Sequence, residues 1–245
     1  MKRFSFCIAL VVVFFLLSCH TAYKPGQVQY SYYRIQHSGQ ASTSFASLLL
    51  PYSDSVNKLM NKAIGENEVA LGKKRQANIL GYFIADAYLF MGKQKYGGKV
   101  IAAFMNSGGV RLPELAAGPV TQGKIFELMP FDNQLMLVKM KGEFLKQYID
   151  TLLVRDGVIQ AGLTMQVVNR VSQNIKVGDQ PLDPNAEYTI VHSDYVINNT
   201  PFFKNVQRTT DGYLLRDAII DYVTYLTKQG KKITVQNTDR VAYAE

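Results

Sequence analysis

From Ser53 onward the apolar positions recur at helical spacing. Val56, Leu59, Met60, Ala63 and Ile64 share one face, and Gly65 follows as a stop. A short strand is predicted through Glu68–Leu71, ahead of the basic run Lys73-Lys74-Arg75. A second amphipathic helix places Ile79, Leu80, Phe83, Ile84, Ala87, Tyr88 and Met91 on one face. Val100–Met105 is a continuous apolar run that ends in a glycine turn, the pattern of a buried strand. A short helix around Gly123–Leu128 and a strand through Gln134–Met140 come next. The helix after them carries Phe144, Leu145, Tyr148, Ile149, Leu152 and Leu153. Strands are predicted at Leu163–Asn169, Asn174–Val177 and Tyr188–His192, then a helix over Leu214–Leu226, with Val235 and Val241–Tyr243 as a closing strand. Strands and helices that mix without strict alternation predict an α+β fold. With no internal repeat and no break after residue 44, one domain over residues 45–245 is expected.

The first 44 residues follow a different pattern. Lys2 and Arg3 precede an almost wholly apolar run from Phe4 to Leu17, and small Ser18 stands before Cys19. A charged start, a short apolar core and a small residue at the cut describe a secretory signal peptide over residues 1–18. The run is short for a bilayer span, which needs about 20 residues. Leu16-Leu17-Ser18-Cys19 resembles the lipobox of bacterial lipoproteins, which implies a lipid on Cys19 and a membrane anchor. A plain signal peptide cut elsewhere and an N-terminal membrane helix are the blander readings. Residues 19–44 read as the lipidated cysteine and a polar tether, with Tyr30–Ile35 as a possible first strand. No acidic cluster follows His20, which favours the periplasmic face of the outer membrane over surface display.

With Cys7 lost in the signal and Cys19 carrying lipid, the domain has no thiol left for a disulfide and must rest on its core alone. The formal net charge is +8, of which Lys2 and Arg3 supply two. Such an excess suits an anionic ligand or membrane surface. No basic run interleaved with aromatics points to nucleic acid.

Much enzyme chemistry is missing. Only His37 and His192 remain beyond His20, whereas a two-metal phosphoesterase centre needs several His and Asp ligands. No Gly-x-Ser-x-Gly elbow frames a serine. His192-Ser193-Asp194 sets three triad residue types side by side, but neighbours on a strand face opposite ways and cannot relay to one another. His192 is therefore expected to be a strand residue with an ordinary partner, and no catalytic residue is assigned.

What remains is binding chemistry. Asn106-Ser107-Gly108-Gly109-Val110-Arg111 follows a buried strand, and its glycines let a ligand approach exposed amides. Arg111 offers a planar fork to an oxyanion or ring nitrogen, and Asn106 both donates and accepts. Downstream, Leu128-Met129-Pro130-Phe131-Asp132-Asn133 sets an aromatic beside a rigid proline, and Ser193-Asp194-Tyr195 gives another aromatic past a strand end.

In this order these pieces resemble the C-terminal domain of the 5′-nucleotidase family. The likeness runs from about Tyr52 to the end and takes in Leu80-Gly81, Gly118-Pro119-Val120-Thr121, Gln180-Pro181-Leu182-Asp183-Pro184 and Leu215-Arg216-Asp217-Ala218. The resemblance implies a mixed-sheet domain that holds the nucleoside between two aromatic rings, here Phe131 and Tyr195. It implies polar contacts from Asn106, Gly108, Gly109, Arg111 and Asp194, and from a basic residue that Lys74 matches best. The chain departs from the family at Tyr82 and at Asn198-Asn199-Thr200-Pro201-Phe202, where the family carries the aspartate that serves the ribose hydroxyls.

The family joins a two-metal phosphoesterase domain ahead of this one. The resemblance therefore implies a nucleotide-binding half that works in nucleotide catabolism with a separate metallophosphoesterase chain. Divalent metals are expected only in that partner, and no cofactor in this chain. The alternative is a non-catalytic envelope lipoprotein: a nucleotide scavenger, a sensor or a protein scaffold. A self-sufficient hydrolase of another mechanism comes third.

Overall fold

A computed structural model describes residues 43–73, 78–155, 157–235 and 239–244. Cys19, the signal segment, most of the tether, Tyr30–Ile35, Lys74 and Arg75 lie outside the described residues. The chain divides into a unit of residues 1–46 and a unit of residues 47–245, and the second holds the described strands. In chain order its elements begin with α1 (Thr43–Met60, entered from the first unit), β1 (Ala63–Asn67), β2 (Leu71–Gly72), α2 (Ile79–Tyr96) and β3 (Val100–Phe104). β4 (Glu114–Leu115), β5 (Gly118–Thr121), α3 (Gln122–Leu128), β6 (Leu135–Lys141) and α4 (Gly142–Arg155) follow. Then come β7 (Gln160–Ala161), β8 (Leu163–Val168), β9 (Val171–Val177), β10 (Gln180–Pro181) and β11 (Glu187–Ser193). α5 (Asp194–Asn199), β12 (Gln207–Thr209), α6 (Leu215–Lys228) and β13 (Val241–Tyr243) complete the order.

The centre is a five-stranded mixed sheet in the order β12-β6-β11-β3-β7. β11 runs parallel to β3 and antiparallel to β6. Side chains alternate between its faces, as the pleat requires. Val100, Ala103, Leu135 and Val191 enter one core with α2 and α6, while Ala102, Phe104, Val138 and Ile190 enter a second core with α4. A four-stranded sheet, β10-β9-β8-β13, adds Leu163, Met165, Val167 and Ile175 to that second core. The mixed strand directions and two-sided burial make this an α+β fold.

Local chemistry sets the element starts. Asn78 caps α2 by accepting a hydrogen bond from the Gly81 amide at 2.7 Å, and Thr121 caps α3 through the Lys124 amide at 3.2 Å. Gly162, at φ +95°, turns the chain from β7 in the large sheet into β8 in the small one. A Cβ there would run into the Ile101 carbonyl oxygen, so backbone passes directly over backbone.

The N-terminal periodicity proves misleading. The helix begins at Thr43 rather than Ser53, runs through Pro51 and stops at Met60. Ala63, Ile64 and Gly65 belong to β1, which pairs with β5. Gly65 does not stop a helix; a Cβ there would press to 2.5 Å from Val223 of α6. The expected strand Glu68–Leu71 contracts to Leu71–Gly72, paired with Glu114–Leu115. Val235 lies outside any strand. The other helices and strands fall within a few residues of their predicted ranges.

Candidate functional site

Strand direction gathers the three motif segments. The Asn106–Arg111 loop leaves the C-terminal end of β3, and Asp194-Tyr195 leaves the C-terminal end of the parallel β11. Phe131 and Asn133 enter the N-terminal end of the antiparallel β6, whose Leu135 pairs with Ser193. All three therefore open at one end of the central strands, the carboxyl end of β3 and β11, outside which ligands bind in open α/β sheets.

Two of the segments are tied together. The Arg111 amide donates to the Leu128 carbonyl at 2.9 Å, and the Arg111 guanidinium carbon lies 4.8 Å from the Phe131 ring centre. This is a cation–π arrangement. Residues Ser107–Gly109 form a single 3₁₀ turn capped by Asn106 through its backbone alone. Among the described residues the Asn106 side chain has no hydrogen-bond partner and Arg111 no ion pair. Neither Gly108 nor Gly109 has a positive φ, and a Cβ on Gly109 would meet nothing nearer than 3.6 Å. The fold itself does not demand glycine at either position.

The third segment is attached more lightly. The Asp194 amide donates to the Gln134 carbonyl at 3.0 Å, which brings α5 alongside the start of β6. The Asp194 carboxylate accepts from the Tyr195 amide at 2.6 Å, and Asn199 donates its side-chain amide to the Tyr195 carbonyl at 2.7 Å. Tyr195 itself is 57% exposed and makes no ring contact with Phe131 among the described residues. In the departing segment Asn198–Phe202, Phe202 stacks on Phe144 with ring centres 4.1 Å apart. Beyond it Phe203 is buried edge-on against Tyr148 at 4.7 Å. That stretch anchors α5 into the second core. The candidate Lys74 lies outside the described residues.

Two residues that sequence reasoning did not single out hold the rim from behind. Lys73 donates to the Ser107 carbonyl at 2.7 Å and to the Val110 carbonyl at 3.1 Å, so it spans the glycine turn. Arg216 in the first turn of α6 is buried. It pairs with Asp132 at 2.7 Å, reaches the Phe131 carbonyl at 3.4 Å and lies 4.1 Å over the Phe126 ring. A signal for Arg216 was present: it shares a helical face with Ile219 and Val223, where an apolar residue is the norm.

His192 has the ordinary partner expected of it. Its Nδ1 accepts from the Ser193 amide at 2.7 Å, so Nε2 carries the proton towards the Tyr148 hydroxyl, also 2.7 Å away. Burial pushes its pKa down to about 3 and keeps the ring neutral. Among the described residues no three His, Cys, Asp or Glu side chains come together as metal ligands. The donor set described does not fit a two-metal centre, and no metal-dependent step is derived for this chain. No described helix is long and apolar enough to cross a membrane.

An α+β domain whose three motif segments meet at the strand ends is thus defined, and comparison gives it a family. Residues 56–208 match the family described as 5′-nucleotidase, C-terminal domain. The chain belongs to that family. It is 28% identical over 157 residues to a 5′-nucleotidase of Vibrio parahaemolyticus, covering 60% of this chain and 27% of that protein. The fold is shared with the 5′-nucleotidase precursor of Thermus thermophilus, at 24% identity and a TM-score of 0.67 over 82% of this chain and 43% of the other. The NAD nucleotidase of Haemophilus influenzae gives 18% identity and a TM-score of 0.63 over 83% and 42%. The chain therefore spans less than half the length of each of these relatives.

Proposed function

We propose that this protein is the nucleoside-holding half of a 5′-nucleotidase-type phosphohydrolase, and that a separate metallophosphoesterase chain supplies the two metals and the hydrolytic water. One observation carries the reading: three segments distant in sequence open at one end of the central strands, where Arg111 already lies over Phe131. A base stacked on Phe131, with Tyr195 closing from the other side, gains ~1–3 kcal/mol per stack and tolerates different bases. Asn106, Arg111, Asp194 and Lys74 supply the polar contacts. Gly108 and Gly109, which the fold does not require, keep the loop open to the ligand. The partner would activate water and clamp phosphate while this chain orients the nucleoside. A lipid on Cys19 would hold the protein at the periplasmic face of the outer membrane and raise its effective concentration towards a partner tethered there.

The second reading, a non-catalytic envelope lipoprotein that scavenges or senses nucleotides or scaffolds proteins, draws on the Asn198–Phe202 departure. Its aromatic end packs into the core and offers no aspartate to a ribose. Calorimetry with AMP, adenosine and a sugar phosphate separates the two. Nucleoside binding that weakens about tenfold or more in both Phe131→Ala and Arg111→Ala supports nucleotide recognition. The isolated chain is expected not to hydrolyse AMP with divalent metals added, and to support hydrolysis when mixed with its partner. Robust hydrolysis by the pure chain would overturn the two-chain reading.

A further inference from the structure

We infer that Arg216 is a positioning residue, which holds the Phe131 ring at the angle a stacked base requires; this rests on the nucleoside-binding reading above. Arg216 stands on α6, outside all three motif segments, and only 7% of it is exposed. Its guanidinium grips the ring-bearing segment at three points: the Met129 carbonyl at 3.5 Å, the Phe131 carbonyl at 3.4 Å and the Asp132 carboxylate at 2.7 Å. The Phe126 ring closes one face of the fork. A planar fork with several donors fixes a backbone segment in a way that a lysine point charge does not.

This is a poor arrangement for stability alone. In the ion pair the Arg216 side chain is 9% exposed but the Asp132 side chain 79%, so solvent screens the carboxylate and weakens the pair. The Arg216 Nε is buried with no hydrogen-bond partner among the described residues, which is itself unfavourable. Burying a guanidinium carries a desolvation cost that these contacts must offset before any net stabilisation appears. What the arginine gives that methionine does not is a fixed path for residues 129–132. That segment adjoins the Leu128 carbonyl bond to Arg111, so the same grip sets how Arg111 lies over the ring.

The chain contains no tryptophan, so Phe131→Trp introduces a single reporter at the ring itself. In that background Arg216→Met is expected to increase acrylamide quenching and lower the emission anisotropy of the reporter. With Phe131 restored, Arg216→Met is expected to weaken adenosine binding about tenfold, with partial rescue by Arg216→Lys. Unchanged quenching and unchanged affinity in a folded Arg216→Met would overturn the inference. A fall in melting temperature with the reporter unmoved would assign Arg216 to stability and overturn it equally. If Arg216→Met does not fold, Arg216→Lys decides: it keeps the charge but loses the fork, and a reporter as shielded as before refutes positioning. The nucleoside reading fails separately. In that case wild-type protein binds no adenosine, while Arg216→Met still frees the reporter.

Discussion

The two aromatic arms of the candidate site are built in opposite ways. Phe131 sits on a segment held by a buried arginine, by a backbone bond into the glycine turn and by the guanidinium of Arg111 across its face. Tyr195 sits on a six-residue helix, largely in solvent, held locally by Asp194 and Asn199. The first arm is set before any ligand arrives. The second can adjust, and its order comes from below, through buried Ile197 and Phe203 and through the strand it leaves. On the proposed nucleoside-holding role, one fixed ring and one solvent-exposed ring would let the site accept different bases while keeping one wall in place, because preorganising one side already removes part of the ordering entropy.

Acid should have the largest effect, acting on the strand pair β11 and β6 from which both arms leave. His192 stands next to the end of β11, from which the Tyr195 arm hangs, and is neutral in the fold with a pKa of about 3. The unfolded chain protonates this histidine below about pH 6.5, whereas the folded chain does so only near pH 3. Its contribution to stability is therefore complete above about pH 6.5 and is lost as pH falls towards 3. The slope approaches ~1.4 kcal/mol per pH unit, roughly 5 kcal/mol over the whole window. Asp150, held low by Lys146 and Ser172, adds to the loss only at the acid end of that range. Urea unfolding at about pH 7, 5.5 and 4 should show this slope, and a folded His192→Phe should flatten it; equal slopes in the two proteins would discount the histidine.

Next in size is Phe203→Ala. The ring is fully buried against Tyr148, and its removal should destabilise the fold by about 3–5 kcal/mol. Hydrogen exchange should accelerate through Asp194–Asn199 but not through Met129–Asp132; uniform acceleration in both arms would dissolve the contrast. The smallest effect expected is that of Gly109→Ala. Its φ is not positive and its Cβ would meet ordinary contacts, so stability should hold or rise by about 0.4–1 kcal/mol. Nucleoside affinity should fall several-fold if the turn is open for a ligand, and calorimetry beside a melting curve reads both.

How far the sequence revealed this follows from range. α4 and α6 each keep one period over three or more turns, α2 is a long apolar segment buried all round over Leu80–Ala85 and not on one face as its spacing predicts, and β3 is apolar on both faces, so their residues alone declare them. β1 is defined by pairing with β5 and by a bridge to Ile233, both distant in sequence, and the apolar spacing before β1 mimics a helix that has already ended. The strands β4, β7, β10 and β12 are too short to show alternation. In the site, the neighbourhood of Arg111 and Phe131 was legible as two motifs in order. The work of Lys73 and Arg216 was not, because each acts on backbone carbonyls brought near only by the fold.

At Gly162 the chain crosses from one sheet to the other with carbonyl almost against Cα, so the spacing of the two sheets is set by main chain and not by replaceable side chains. Core substitutions can retune either hydrophobic layer without changing how the layers are joined. Any side chain at residue 162 would have to push β3 away, so the passage from the large sheet to the small one admits glycine alone.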